Sequence, residues 1–241
     1  MLLSLVALAF GANPDLPKQW ASVESAIRQH TNVPVPLSSD DLNALMAGEM
    51  VASRFDTDKG AYATGAAWLD VPIDRVWLAI NDGEHDPPGR TTLRILEGPP
   101  NVRRVHLTLD LPFPISDRQW VADIVANKAL YHATGGRVWQ RQWALADKAL
   151  ATEADRAVWL KENRGAWTLV DTGDGTLMLF TVRTVLGGLL PPAITQAWAV
   201  KSLRRTFTEA GPRAKAMPEH YTGSHFLVQA PDGAAVPRWP R

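Results

Sequence analysis

A segment near the C-terminus constrains the fold most, because it is helical while the chain before it is rich in strands. Pro191 and Pro192 can begin a helix and Gly211-Pro212 can stop it, which predicts a helix over residues 192–210. A helix of about 19 residues is about 30 Å long, enough to lie across a whole sheet. Its apolar side is formed by Ile194, Ala197, Trp198, Val200, Leu203 and Phe207.

Between residues 50 and 185 the apolar residues follow the period of strands, and tight turns separate them. Turns such as Gly135-Gly136 favour an antiparallel meander over parallel strands joined by helices. A short helix is predicted over residues 73–81, with Pro72 in its first turn. The predicted strands are 50–57, 61–70, 91–97, 102–110, 119–127, 137–145, 157–163, 166–171 and 176–185.

These elements predict an α+β fold in which a curved antiparallel sheet of about nine strands wraps around the long C-terminal helix. Two helices are expected before the sheet, over residues 16–29 and just after Ser38. The predicted division is a possible signal peptide (1–12), a helical segment (13–49), a domain built around the sheet that can bind a ligand (50–212) and an extended tail (213–241). One helix cannot fill the concave side of such a sheet, so large side chains pack the interior or a ligand occupies it.

The first eleven residues form a short apolar run, MLLSLVALAFG, that is too short to span a membrane. Its length and the small residues Ala9 and Gly11 suit a secretory signal, although no Lys or Arg precedes it. Two interpretations stay open. A cleaved signal would place the protein in the periplasm or outside the cell, whereas a segment of the fold would leave it cytoplasmic.

Three motifs in order resemble those of the START lipid-transfer family, within the helix-grip superfamily that includes Bet v 1-like proteins. AWLDVPIDRVW (67–77) is similar to the family's strand-to-helix step, and LPFPISDRQWV (111–121) to its Pro-Phe-Pro segment. GAWTL (165–169), Gly175-Thr176 and GGLLP (187–191) resemble its last strands and the turn into the closing helix. Gln119 departs from the acidic residue usual after the Arg, so we infer no structural ion pair there.

The resemblance implies a hydrophobic tunnel, roofed by the C-terminal helix, for a lipid, sterol or other hydrophobic small molecule. It also implies a gate beside that helix, formed by Gly187, Gly188, Leu189 and Leu190 or by residues 128–136; the alternative for 187–190 is an ordinary turn. We expect a monomeric bacterial protein that contacts membranes transiently. Because the superfamily includes cyclases and hydrolases, the alternative to a binding protein is an enzyme of the polyketide cyclase or hydrolase kind.

Alternate residues of the strand at 137–145 place Arg137, Trp139, Arg141, Trp143 and Leu145 on one face. If that face lines the interior, Arg141 could bind a carboxylate or phosphate while the tryptophans cover an apolar chain. If it is the outer face, the arginine stems cover exposed tryptophans. Further predicted wall residues are Phe180, Ile194 and Trp198.

Two other polar residues are candidates for ligand contacts. Val105 and its alternate neighbours are expected to point inward, which makes His106 a surface or edge histidine, with a contact in the lumen as the alternative. Asp123 lies among apolar neighbours and is either exposed to solvent or paired with Arg141 or Arg183. The enzyme hypothesis requires His106, Asp123 and Arg141 to converge.

Several classes of function find no support in the sequence. The chain has no Cys, which excludes disulfides and thiol nucleophiles, and its 25 basic residues equal its 25 acidic ones. The six histidines form no HxH, HxxxH or HExxH pair, and no GxSxG, P-loop or GxGxxG motif is present. We therefore expect no catalytic residue of a known motif, no metal, no cofactor and no nucleic-acid partner.

Overall fold

The computed structural model describes residues 11–57, 60–81, 91–111, 115–151, 157–187, 192–217 and 229–234, with only the backbone for residues 60 and 192–202. The helices are α1 (Leu16–His30), α2 (Ser39–Met46), α3 (Ile73–Asn81), α4 (Lys128–Ala133) and α5 (Pro192–Lys215). The strands are β1 (Val51–Thr57), β2 (Gly60–Leu69), β3 (Thr91–Leu96), β4 (Arg103–Leu109), β5 (Arg118–Ala126), β6 (Val138–Leu145), β7 (Val158–Trp159), β8 (Glu162–Asp171) and β9 (Thr176–Val185).

All nine strands belong to one curved sheet, in the order β1-β2-β9-β8-β6-β5-β4-β3, with β7 beside β5. Every pair is antiparallel except β5 with β7. This is the α+β, helix-grip architecture that the sequence predicts, and β6 and β8 lie at its centre. Both strands contribute buried residues to two hydrophobic cores, Trp139 and Trp167 to one and Val138 and Val170 to the other.

Helices cover the two faces of the sheet differently. The inner face, as we call the one that carries α3 and α5, packs Trp139, Trp167 and Met178 against Phe207 of α5. The outer face carries α1 and α2, whose apolar residues form a second core with Val138 and other residues of the central strands. The predicted 13–49 segment is therefore packed onto the sheet and contributes a layer of the fold.

The start of α2 shows why the chain becomes helical there. The Ser38 hydroxyl accepts a hydrogen bond from the Asp41 backbone N–H, and the Asp41 carboxylate accepts one from the Ser38 backbone N–H. Such a capping box satisfies two N–H groups that a helix start leaves without partners. Leu45 is then buried against the outer face.

Helix α5 continues past the predicted stop, which corrects the boundaries of both the helix and the tail. Pro212 lies inside the helix although it lacks the N–H that would bond to residue 208. The reason is a buried stripe along the helix, Leu203, Phe207, Ala210 and Ala214, which continues to Met217 just beyond the helix end. Residues 229–234 are also anchored, since the Gln229 carbonyl accepts a hydrogen bond from Trp77 Nε1 at 2.8 Å.

The strands predicted at 157–163 and 166–171 are replaced by a two-residue β7 and a longer β8 that begins at Glu162. Gln119 explains the difference, because its buried side chain donates to the Ala157 carbonyl at 2.9 Å. Its backbone carbonyl also accepts from the Leu160 N–H at 3.0 Å. These two bonds hold the 157–160 segment against β5 and leave Glu162 to begin the next strand.

Residues 128–136, the alternative position of the gate, contain helix α4. Asn127 caps the helix by accepting from the Leu130 N–H at 3.1 Å, and the Leu130 side chain is fully buried. That side chain packs with the core of the outer face. The segment is therefore anchored at its centre.

Candidate functional site

Strand β6 places its alternate residues on opposite faces of the sheet, as the period of two requires. Trp139 and Trp143 pack with the core of the inner face, and Arg141 between them shares that face. Val138 packs in the outer core, and Gln140 donates to the Thr168 hydroxyl at 2.7 Å. The face that carries Trp139, Arg141 and Trp143 therefore lines the interior, which is the first of the two interpretations of this strand.

The tryptophans present apolar surface to the interior because their N–H groups already have acceptors. Trp143 Nε1 donates to Asn163 Oδ1 at 2.8 Å, and Trp139 Nε1 donates to the Gly136 carbonyl at 2.8 Å. Gly165 makes room for the Trp143 ring, since an added Cβ would lie 2.3 Å from Trp143 Cζ2. A larger residue at position 165 would displace the ring.

Aromatic rings of β6, β8, β9 and α5 form a continuous wall on the inner face. Phe180 lies 4.7 Å from Trp167 and 5.5 Å from Trp143 between ring centroids, and Trp167 lies 5.6 Å from Phe207. Trp167 and Phe207 are buried, whereas Trp143 and Phe180 are only partly buried although they belong to central strands. Accessible aromatic surface in the middle of a packed face is a feature of ligand sites.

Arg141 is the charged residue within this wall. Its Nη1 donates to Asn81 Oδ1 at 3.0 Å, while its buried Nε has no hydrogen-bond partner among the residues described. Desolvation by the surrounding protein lowers the pKa of the guanidinium from its usual value to about 10, so it remains protonated at pH 7. In the described parts of the chain, no carboxylate forms an ion pair with it.

Asp123 lies on the other face, which corrects its predicted place beside the ligand. It is opposite Ala144, next in sequence to Trp143, so it points away from the wall. Its partner is Arg104, with Nε and Nη2 at 2.7 and 2.8 Å from the two carboxylate oxygens. Neither predicted partner contacts it, since Arg183 pairs with Glu162 at 2.7 Å.

His106 shares the face of Asp123 and is buried, which corrects the expectation of a surface or edge histidine. Its Nε2 lies 3.2 Å from Gln119 Oε1, and its ring stacks on Trp159 with centroids 5.8 Å apart. The three polar residues of the enzyme hypothesis are therefore divided between the two faces. They form no common site.

The predicted gate begins at a segment that Arg118 holds in place, a contact that the sequence did not reveal. Arg118 Nε donates to the Leu186 carbonyl at 2.8 Å and Nη2 to the Gly187 carbonyl at 3.1 Å. Its Nη1 donates to the carbonyls of Ser116 and Asp117. The Pro-Phe-Pro motif contains this arginine, but its acceptors are backbone atoms far along the chain. The remaining gate residues Gly188, Leu189 and Leu190 lie outside the described residues, as do the side chains of Ile194 and Trp198.

Other kinds of site find little support in the residues described. Two surface depressions of about 360 and 430 Å³ follow helix α1 and are lined mainly by polar side chains. No three His, Asp or Glu side chains in the described ranges are grouped as a metal site would need. Among the described helices, none combines the length and apolarity needed to cross a membrane.

Solved structures with this architecture include lipid-transfer proteins. The STAR-related lipid transfer protein (fragment 25-204) from Xanthomonas axonopodis aligns over 69% of this chain and 93% of its own, with a TM-score of 0.59 and 16% identity. Human StAR-related lipid transfer protein 5 aligns over 83% and 96%, with a TM-score of 0.61 and 12% identity. No protein-family model and no curated protein sequence matches the chain. At these identities the likeness shows a START-like helix-grip fold.

Proposed function

We propose that the protein, which has the START-like helix-grip fold, binds a lipid or another hydrophobic small molecule between the inner face of its sheet and helix α5. The observation that carries this proposal is the aromatic wall, in which Trp143 and Phe180 keep accessible surface at the centre of the sheet. The neighbouring structures are consistent with it, since both are named as lipid-transfer proteins.

Packing explains why this surface suits a ligand. Protein interiors are filled to the density of organic crystals, so large side chains of a central strand beneath a helix are normally covered completely. A partly covered wall leaves apolar area for a ligand to bury, at about 25 cal/mol for each Å² removed from water. Because the indole N–H of Trp143 already bonds to Asn163, a bound chain would leave no polar atom of that ring unsatisfied.

Native mass spectrometry of the purified protein and uptake of a fluorescent lipid test this proposal. We expect a co-purified hydrophobic molecule and saturable uptake. Phe180→Trp, which fills space on the inner face, should reduce uptake, whereas Phe55→Trp should leave it unchanged because Phe55 stacks on Tyr62 of the outer face. A protein that carries no ligand and takes up no lipid would contradict the proposal.

We extend the proposal to a monomer that meets membranes only transiently. Size-exclusion chromatography with light scattering should give a mass near 26.4 kDa. Sedimentation with lipid vesicles should leave most of the protein in the supernatant while lipid still exchanges. A stable dimer, or lasting attachment to vesicles, would contradict these two statements.

The two interpretations of residues 1–11 make opposite predictions at Gly11. A Cβ added there would lie 2.0 Å from Cζ3 of Trp68, so a larger side chain cannot be accommodated without movement of the ring. If residues 1–11 are part of the fold, Gly11→Ala destabilises the protein, because its Cβ alone meets Trp68; alanine also keeps the cleavage site small. A signal cleaved after Gly11 would instead export the protein. The mature form would then start at Ala12 in the parent and in the variant alike, so the two would have the same stability. The mass of the mature protein decides independently.

A further inference from the structure

Unlike Arg104 and Arg183, Arg141 forms no ion pair with a carboxylate of the described residues. Arg104 has the carboxylate of Asp123, and Arg183 has that of Glu162. Within the described parts of the chain, Arg141 has one neutral acceptor, Asn81 Oδ1, for the five N–H bonds that a guanidinium carries. A buried charge without a counterion is strongly unfavourable, and the anionic group of a ligand would remove this cost.

Asn81 orients the guanidinium and leaves one edge of it free. The Asn81 amide donates to the Trp77 carbonyl at 2.9 Å, which directs its Oδ1 toward Arg141. Nη1 of Arg141 is thereby used, and no acceptor for Nε lies in the part of the chain that the structure describes. Nε and Nη2 form the side edge of a guanidinium, and this edge matches the two oxygens of a carboxylate or of a phosphate.

Arg141 is also directed toward the aromatic wall and not toward the protein surface. The residue keeps some accessible area although protein surrounds its guanidinium, as expected where a side chain borders an internal space. Trp143 follows on the same face of β6, and Phe180 is in contact with Trp143. An acid group at Arg141 would therefore lie at one end of the partly accessible aromatic surface.

We propose that the ligand is an amphiphile that carries one oxyanion, a carboxylate or a phosphate, bound by the free edge of Arg141 beside Asn81 while its apolar chain lies on Trp143 and Phe180. This inference rests on the proposed function and specifies the ligand class. It also assigns separate roles to the two parts of the site: the wall provides affinity for any apolar chain, and Arg141 provides selectivity for acids.

Competition against Nile red, a neutral fluorescent reporter, tests the inference with three ligands of equal chain length. Dodecanoate and dodecyl phosphate carry the two oxyanions, and dodecanol carries none. We expect one of the acids to displace the reporter at least 10-fold more tightly than dodecanol at pH 7.5, because charge-assisted hydrogen bonds contribute roughly 10- to 100-fold. The better of the two acids identifies the oxyanion.

Arg141→Gln should bind dodecanol as the parent does but lose the preference for acids, and Arg141→Lys should keep part of it. Arg104→Gln, on the outer face, is the matched control and should keep the full preference. Equal affinities of the three ligands for the parent, or an undiminished preference in Arg141→Gln, would overturn the inference while leaving the proposed function standing. If the reporter and all three ligands fail to bind, both proposals fall.

Discussion

Replacement of Arg141 by Met should stabilise the ligand-free protein, because it removes a buried charge and keeps a flexible side chain that can fill the site. Burial lowers the pKa of Arg141 from the usual value of an arginine to about 10 in the folded protein. At about 1.4 kcal/mol for each tenfold change in proton affinity, the difference corresponds to about 3 kcal/mol. Since the folded pKa is the lower one, this full penalty falls on the folded state at pH 7 and fades as the pH rises above about 10.

Part of the gain is lost with the hydrogen bond to Asn81. Its Oδ1 would then be left without the Arg141 donor, at a cost of about 1–2 kcal/mol. The net stabilisation is therefore about 1–2 kcal/mol. For a chain of 241 residues, this raises the melting temperature by about 2–8 °C.

Urea unfolding and calorimetry of delipidated protein measure this effect. Delipidation matters because a bound acid would neutralise Arg141 in the parent and hide the penalty. Arg104→Met is the control, and we expect it to be no more stable than the parent because it removes the pair with Asp123. If Arg141→Met proves equally or less stable than the delipidated parent, the folded chain must compensate the charge, and the reasoning is refuted.

Three further outcomes are expected. Affinity for dodecanoate should fall as the pH rises above about 10, where Arg141 loses its proton, and a fluorescence titration of Arg141→Met should show no such fall. Gly165→Ala should destabilise the protein by about 1–3 kcal/mol in urea unfolding, because the new Cβ would collide with Trp143 and a backbone carbonyl, so an unchanged midpoint would contradict the packing. Arg118→Gln should lower the free energy of unfolding by about 1–3 kcal/mol and speed hydrogen exchange near Gly187, and exchange unchanged there would argue against anchoring by this arginine.

The fold was largely predictable because its signals are local. The boundaries of α3 at Ile73 and Asn81 match the prediction, since Pro72 and the helical period lie within a few residues of one another. The stop predicted at Gly211-Pro212 was wrong because burial of Ala214 and Met217, which depends on the whole inner core, outweighs a missing backbone hydrogen bond. In helix α5, packing against a core built from distant segments therefore outweighs the local signals that favour a helix end.

The candidate site was only partly predictable because alternation groups residues but does not say which group points inward. Trp139, Arg141 and Trp143 were correctly grouped, and only the pairing of the strands could assign them to the inner face. The partners of the buried polar groups are far apart in sequence. Arg118 bonds to carbonyls 68 and 69 residues away, and no periodicity indicates such contacts.

The double coverage of strand β6 has a consequence for insertions and deletions. One residue added before Arg141 without a compensating bulge would turn each following side chain to the opposite face. Arg141 would then point away from Asn81, and Gln142 would take a place in the aromatic wall. Substitutions can adjust the wall one residue at a time, but a change in strand length would alter the wall and the opposite face together. We therefore expect the length of β6 to tolerate change less than the identity of any residue within it.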